Sequence, residues 1–247
     1  MLDELRQAVS DERALREVEE GIYSLLPEAA AHGHLYDRRA AVYDFFVGTR
    51  LYNRVMWGDS PLRYAAFARR AFASTPAGCL LDAPCGSLLF SVGAYLASRR
   101  PVIALDQSIA MLRRARARLL DAAGRVPANV VFVQGDLSRL TFRHGSFQTI
   151  LCMNVLHQYD DAATLIPQLK SLLTGEGHLF LTSIVTNGRF IGDAYMRMLH
   201  RAGEFVRPRS SVELKELLEG SLNGRVAYRV EGNMAYAATD AIEDLFA

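Results

Sequence analysis

Cysteine is scarce. Only Cys79, Cys85 and Cys152 occur among 247 residues, an odd number with no CxxC pair. A disulfide framework and a zinc ribbon are therefore excluded, and the thiols suit a reducing compartment, expected to be the cytoplasm. Long apolar runs are also missing: nothing approaches the roughly 18 residues needed to cross a bilayer. The opening stretch MLDELRQAVSDERALREVEE is charged and periodic, which reads as folded helix and not as an export signal. Neither sign of charge is in excess, since 28 basic against 27 acidic residues leave +1. Bulk electrostatics thus neither require nor exclude an anionic partner. Internal repeats and low-complexity tracts are absent. His32 and His34 have metal-ligand chemistry but no evident third ligand, so no metal is expected.

What remains is a chain that is 50% hydrophobic and long enough for one large domain with a cap. In its first 75 residues apolar side chains recur at helical spacing. Leu2, Leu5 and Val9 are followed by Leu15, Val18, Ile22 and Leu25, then by Tyr36, Ala40, Tyr43, Val47 and Leu51. Ser60 before Pro61 reads as the cap and first position of a further helix. Residues 1–75 are therefore expected to form a helical cap, and 76–247 a second, larger unit. From Gly78 the rhythm changes to alternating strands and helices. Strands are expected at 79–83, 102–106, 130–134, 147–153, 178–183, 226–231 and 234–239. Helices are expected at 88–98, 108–122, 164–173, 190–203 and 211–218, the third starting or kinking near Pro167. This alternation predicts an α/β fold, a mostly parallel sheet covered on both faces. Little more than Gly232-Asn233 separates the last two strands, so these should be antiparallel.

The stretch CLLDAPCGSLLF, residues 79–90, organises the rest. It reads as a buried strand that ends in Asp82-Ala83, a tight turn through Pro84, Cys85, Gly86 and Ser87, and a new helix. Such a turn at the carboxyl end of a strand is where open α/β sheets hold nucleotide-like ligands. Gly86 lets a ligand approach the backbone because it has no Cβ. Asp82, Cys85, Gly86 and Ser87 make this stretch resemble the first motif of the class I S-adenosylmethionine-dependent methyltransferases. Pro84 and Leu88 stand where that pattern has glycine. The resemblance covers about residues 75–240 and implies a Rossmann-like seven-stranded sheet with an antiparallel last strand.

Three further segments extend it. Asp106, ending VIALD, is placed to accept hydrogen bonds from both ribose hydroxyls of a nucleoside, or else to cap the next helix, a role that Ser108 could fill instead. The resemblance places Gln107 and Met111 against the adenosine. Gly135-Asp136-Leu137 is an ordinary turn pair by itself. Within the family pattern, Asp136 accepts from the adenine amino group and the next backbone N–H reaches a ring nitrogen. In FQTILCMNVLHQY, Asn154 would lie near the methionine part of the cofactor. His157 is the candidate general base or substrate contact, and otherwise a packing residue. Tyr43, with Trp57 and Tyr195, belongs to a set that in this family often closes over the cofactor. Tyr36-Asp37 and Tyr43-Asp44 resemble the Tyr-Asp element of quinone-biosynthesis methyltransferases.

The resemblance implies methyl transfer from S-adenosylmethionine to a small-molecule acceptor, at oxygen or carbon, with S-adenosylhomocysteine as product. The expected partners include no nucleic acid and no membrane span, with room for a homodimer. The basic run Arg113, Arg114, Arg116 and Arg118 reads as a solvated helix face. Because fold does not fix function, the alternative is a protein of this fold that does not methylate, either a cyclase or rearrangement enzyme or a binding partner.

Overall fold

The computed structural model describes residues 1–27, 48–222, 226–239 and 245–246. Its strands are β1 (Arg16–Glu19), β2 (Ile22–Ser24), β3 (Leu80–Asp82), β4 (Val102–Asp106), β5 (Val130–Gln134), β6 (Phe147–Cys152), β7 (Leu173–Ile184), β8 (Val226–Glu231) and β9 (Met234–Thr239). They form one sheet in the order β1-β2-β5-β4-β3-β6-β7-β9-β8. The strands from β2 to β7 in that order pair in parallel, while β1 and the β8-β9 hairpin are antiparallel to their neighbours. Every residue of β4 and β5 is buried, as expected for strands covered on both faces.

Successive side chains of a strand point to opposite faces, and the chain uses this to feed two cores. Leu81 and Ile103 pack on one side with α1 (Leu2–Ala8), with a helix at Ala162–Ser171 and with one at Ser211–Leu222. Leu80, Val102 and Ala104 pack on the other with α2 (Pro61–Ala73), α3 (Val92–Ala97) and α4 (Ile109–Ala123). The first pair are α5 (Ala162–Ser171) and α7 (Ser211–Leu222); α6 (Phe190–Arg201) joins the second face through Met196. The order of strands reverses between β3 and β6. A crevice opens beyond the carboxyl ends of strands at such a point.

The α/β class is as expected, and the C-terminal hairpin turns at Gly232-Asn233. Ser60 caps α2 through its Oγ, which accepts from Leu62 N at 3.2 Å. Four expectations need correction. The sheet has nine strands, not seven, because Leu15, Val18, Ile22 and Leu25 lie in a hairpin segment instead of a helix. Gly21, at φ +73°, makes its turn, and Ile22–Ser24 pairs with Phe132–Gln134 of β5. Pairing with a distant strand has overridden a local helical period. The first 75 residues are therefore not uniformly helical. The helix after the first motif begins at Val92, not at residue 88, because Leu88 sits at φ +58°. Lastly, α5 begins at Ala162, capped by Asp161, and runs through Pro167.

At Leu88, side-chain packing and backbone conformation make opposite demands. Its side chain is 1% exposed and packs in the second core, while its backbone holds a conformation that suits glycine. Leu88→Ala should cost about 2–5 kcal/mol through the cavity alone. Leu88→Gly removes more side chain but releases about 1 kcal/mol of left-handed strain. The glycine variant should therefore be the more stable of the two in urea unfolding, an inversion of the usual order.

Candidate functional site

The crevice at the strand-order reversal is a cavity of about 490 Å³. Its floor is the turn after β3. There the Cys85 N–H donates to Leu105 O at 2.8 Å and the Gly86 N–H donates to Asp106 Oδ2 at 2.8 Å. Gly86 stands at φ +54°, and a Cβ built on it would meet nothing within 4 Å. The backbone is thus open to a ligand on that side. Asp106 ends β4 and uses its other oxygen, Oδ1, to accept from Ser108 N at 2.9 Å. Ser108 is the residue that caps α4, accepting from Met111 N at 3.2 Å. The cap alternative for Asp106 is thereby taken by Ser108.

The walls come from the next two strand ends. Asp136 starts a short helical turn and accepts from Ser138 N and Oγ at 2.8 and 2.7 Å. Asn154 follows β6 at φ +54°, a conformation asparagine tolerates. Its N–H donates to Thr182 O, and its Oδ1 accepts from Thr182 Oγ1 at 3.0 Å. Phe90 and Tyr159 add aromatic surface. Among the described residues the Tyr159 hydroxyl bonds no protein group. Burial raises its proton affinity, and the Asp136 and Asp106 carboxylates add to this.

Asp82 is the electrostatic oddity. It is 2% exposed, and its Oδ2 accepts from the Tyr95 hydroxyl at 2.8 Å. Burial pushes its carboxyl up to about 7; the Tyr95 bond pulls down and the Asp106 charge pushes further up. No cation stands beside it: among the described residues the cavity is lined by Asp82, Asp106 and Asp136 and by no Lys, Arg or His. The described residues also contain no cluster of three metal-ligating side chains.

Asp82, Pro84, Gly86, Asp106, Gln107, Met111, Asp136, Leu137 and Asn154 all line this one cavity. Ala83 lies in its floor, fully buried, without lining it. Tyr43 lies outside the described residues, as do Tyr36, His32 and His34. His157, the candidate base or substrate contact, lies apart from these residues. It does not line the cavity; its ring is 5% exposed and packs 4.1 Å, centroid to centroid, from Phe205. Among the described residues its Nδ1 has no hydrogen-bond partner. Burial pushes its pKa down to about 3, assisted by the nearby Arg209 guanidinium. Residue spacing could not tell on which side of the wall the ring would fall. Phe90 and Tyr159 were not singled out from sequence, although both sit inside the motif-bearing stretches.

The match to known proteins agrees with this geometry. The family model described as "Methyltransferase domain" matches residues 80–177. The carboxy-S-adenosyl-L-methionine synthase of Wolinella succinogenes is 31% identical over 186 residues, covering 71% of this chain and 75% of that protein. The ubiquinone biosynthesis O-methyltransferase of Marinobacter nauticus is 25% identical, over 66% of this chain and 78% of that one. Other methyltransferase relatives are matched over 42% and 55% of their own length. The solved complex of DhpI with SAH shares the fold, with a TM-score of 0.56 at 20% identity, covering 85% of this chain and 94% of that chain. The chain belongs to the class I S-adenosylmethionine-dependent methyltransferase family. Its cofactor is S-adenosylmethionine.

Two pH effects follow. Asp82 is raised in the folded state from an unfolded value near 3.9, so its stabilising contribution is complete below pH 4 and is lost as pH rises through 7. Asp82→Asn keeps an acceptor for Tyr95 and cannot ionise. It should be more stable than the parent by up to about 4 kcal/mol at pH 8 and little different at pH 4, measured by urea midpoints. His157 has the opposite sign. Its folded value is depressed, so stability is present above about 6.5 and falls as the unfolded chain takes up a proton at lower pH. Between pH 7 and 4 the parent should lose about 3 kcal/mol that His157→Gln retains. Thermal scans across that range would read it directly.

Proposed function

We propose that this chain transfers the methyl group of S-adenosylmethionine to a small organic acceptor, at oxygen or carbon, of a secondary-metabolite or quinone-like type. The observation that carries the reading is the charge of the cavity. Three carboxylates and, among the described residues, no basic side chain line it. Such a lining repels the phosphates of a dinucleotide and attracts a ligand bearing sulfonium and ammonium groups. The residues fit the cofactor in order along the cavity. Asp106 would accept from the ribose hydroxyls and Asp136 from the adenine amino group, with the Leu137 N–H at a ring nitrogen. Gln107 and Met111 would flank the adenosine. Asp82, Ala83, Pro84, Gly86 and Asn154 would border the methionine part. Tyr43 would close over it.

The bound cofactor supplies an electrophilic methyl group on a positively charged sulfur. The chain's own part is to hold the acceptor in line with that methyl and to keep water away, which accounts for much of the rate in a displacement of this kind. Tyr159 offers a hydroxyl to orient the acceptor. With His157 buried outside the cavity, the reading favours acceptors that need no strong base, such as an activated carbon or an acidified phenol. The ubiquinone biosynthesis O-methyltransferase relative supports a quinone-like acceptor. Three buried, free cysteines support a cytoplasmic location, and none of the helices described is long and apolar enough to cross a membrane.

The carboxy-S-adenosyl-L-methionine synthase relative raises a second reading, chemistry on the cofactor with no methylated acceptor. Its product, by name, carries an added carboxylate. No cation in the described lining would receive that group, and three carboxylates would oppose it. Methyl transfer is therefore the preferred reading.

Titration calorimetry tests the cofactor site. Both S-adenosylmethionine and S-adenosylhomocysteine should bind the parent protein. Asp106→Asn should bind each about 10- to 100-fold more weakly, the loss of a charge-assisted hydrogen bond worth about 1.5–3 kcal/mol. Parent affinity in a folded Asp106→Asn protein would remove the assignment. Formation of S-adenosylhomocysteine only with an acceptor present then separates methyl transfer from the second reading.

A further inference from the structure

Helix α6 leaves the sheet at the carboxyl end of β7, the same edge on which the cavity opens. Its inner side is settled. Gly192 and Met196 are buried, and Tyr195 packs on Trp57 with a centroid distance of 5.2 Å and bonds Tyr52 through the two hydroxyls at 3.2 Å. The outer side is exposed. Phe190 is 84% exposed, and Ile191 and Met198 about half exposed. At 100° per residue, Phe190, Ile191, Ala194, Arg197, Met198 and Arg201 fall within one third of the helix circumference. The apolar surface continues beyond the helix. Val206 follows it, and Val212, 62% exposed, stands on α7 beside Ser211, whose Oγ bonds Asn187 Oδ1 at 3.0 Å.

Charge is distributed unevenly over this surface. Among the described residues neither Arg197 nor Arg201 forms an ion pair. Three nearby carboxylates are engaged by other groups. Asp193 accepts from the Asn187 and Gly188 N–H groups and from Asn233 Nδ2. Glu213 accepts from Ser210 N, and Asp160 pairs with Arg207 at 3.3 Å. The face thus combines projecting apolar side chains with two arginines that no ion pair among the described residues engages.

We propose that the outer face of α6, with Val206 and Val212, docks on an anionic lipid bilayer. Apolar side chains flanked by arginines on one helix face are the chemistry that an anionic membrane interface selects. A second copy of the chain is a poorer occupant. In a two-fold contact the same patch meets itself, which brings Arg197 and Arg201 of one copy against those of the other. The position has a functional consequence. The Val206 and Arg207 N–H groups donate to His157 O at 3.1 and 3.2 Å. His157 is followed by Gln158 and Tyr159, which line the cavity. Docking on this face therefore sets the cavity wall against the lipid, where an apolar acceptor would be dissolved. The proposal holds whichever acceptor is methylated.

Flotation of the full chain with phosphatidylcholine vesicles, with and without phosphatidylglycerol, tests it. The chain should float with the anionic vesicles only, and less so as salt is raised. Arg197→Glu with Arg201→Glu should weaken partitioning by at least about tenfold. Phe190→Ser with Ile191→Ser should do the same, and both variants should keep parent affinity for S-adenosylmethionine. Absence of flotation, or flotation unchanged in both variants, overturns the proposal. So does a stable dimer that Phe190→Ser splits, which would assign the face to self-association. Loss of cofactor binding in the parent would instead be a failure of the cofactor site and would leave the flotation result to stand by itself.

Discussion

The Asp106 carboxylate holds two turns at once. One oxygen accepts from the Gly86 N–H after β3, the other from the Ser108 N–H before α4. The cavity opens between these turns, so its floor is fixed by a single side chain at the end of one strand. Backbone donors from two turns thus meet on this carboxylate, and among the described residues the cavity lining holds no basic side chain. The same economy explains Asp82. A carboxyl that is buried with only a tyrosine hydroxyl for company resists ionisation. Under the proposed reading, a cationic ligand would bring Asp82 a counter-charge that no described lining side chain supplies.

Stability and binding draw on different parts of the molecule. The two cores rest on Leu, Ile, Val and Phe from strands that alternate between faces. The cavity rests on strand ends, where the alternation stops and polar residues follow. Asp82, Asp106 and Asp136 each occupy the last strand position or the turn just beyond it. Leu88 lies where these two demands meet. Its backbone serves the turn and its side chain serves the core, so neither glycine nor a helical leucine fills both roles.

Much of this was legible in the sequence. Short apolar runs ending in Asp82, Asp106 and near Asp136 located three strand ends, because a buried parallel strand is a continuous apolar run and a carboxylate cannot remain inside it. The short Gly232-Asn233 link required an antiparallel end. What escaped reading has physical causes. Residues 15–25 carry a helical period by coincidence, and only contact with β5 makes Ile22–Ser24 a strand. Gly21 was the one local signal of the turn. The helix after the first motif starts late because Leu88 adopts a conformation that bulky residues seldom take, which no spacing rule foresees. His157 has the right chemistry and the right place in the chain. Its ring packs instead on Phe205, nearly fifty residues later, and does not line the cavity.

The hairpin of β1 and β2 occupies one margin of the sheet, although it is made from the first residues of the chain. Its partner Val130–Gln134 is more than a hundred residues away in sequence. During synthesis, Ile22–Ser24 has only β1 to pair with until β5 has emerged. At the opposite margin β7 gains its second neighbour only when Met234–Thr239 has been made. Both borders of the sheet are therefore finished by long-range closure, and the nascent chain carries an open strand edge for most of the time it is being translated.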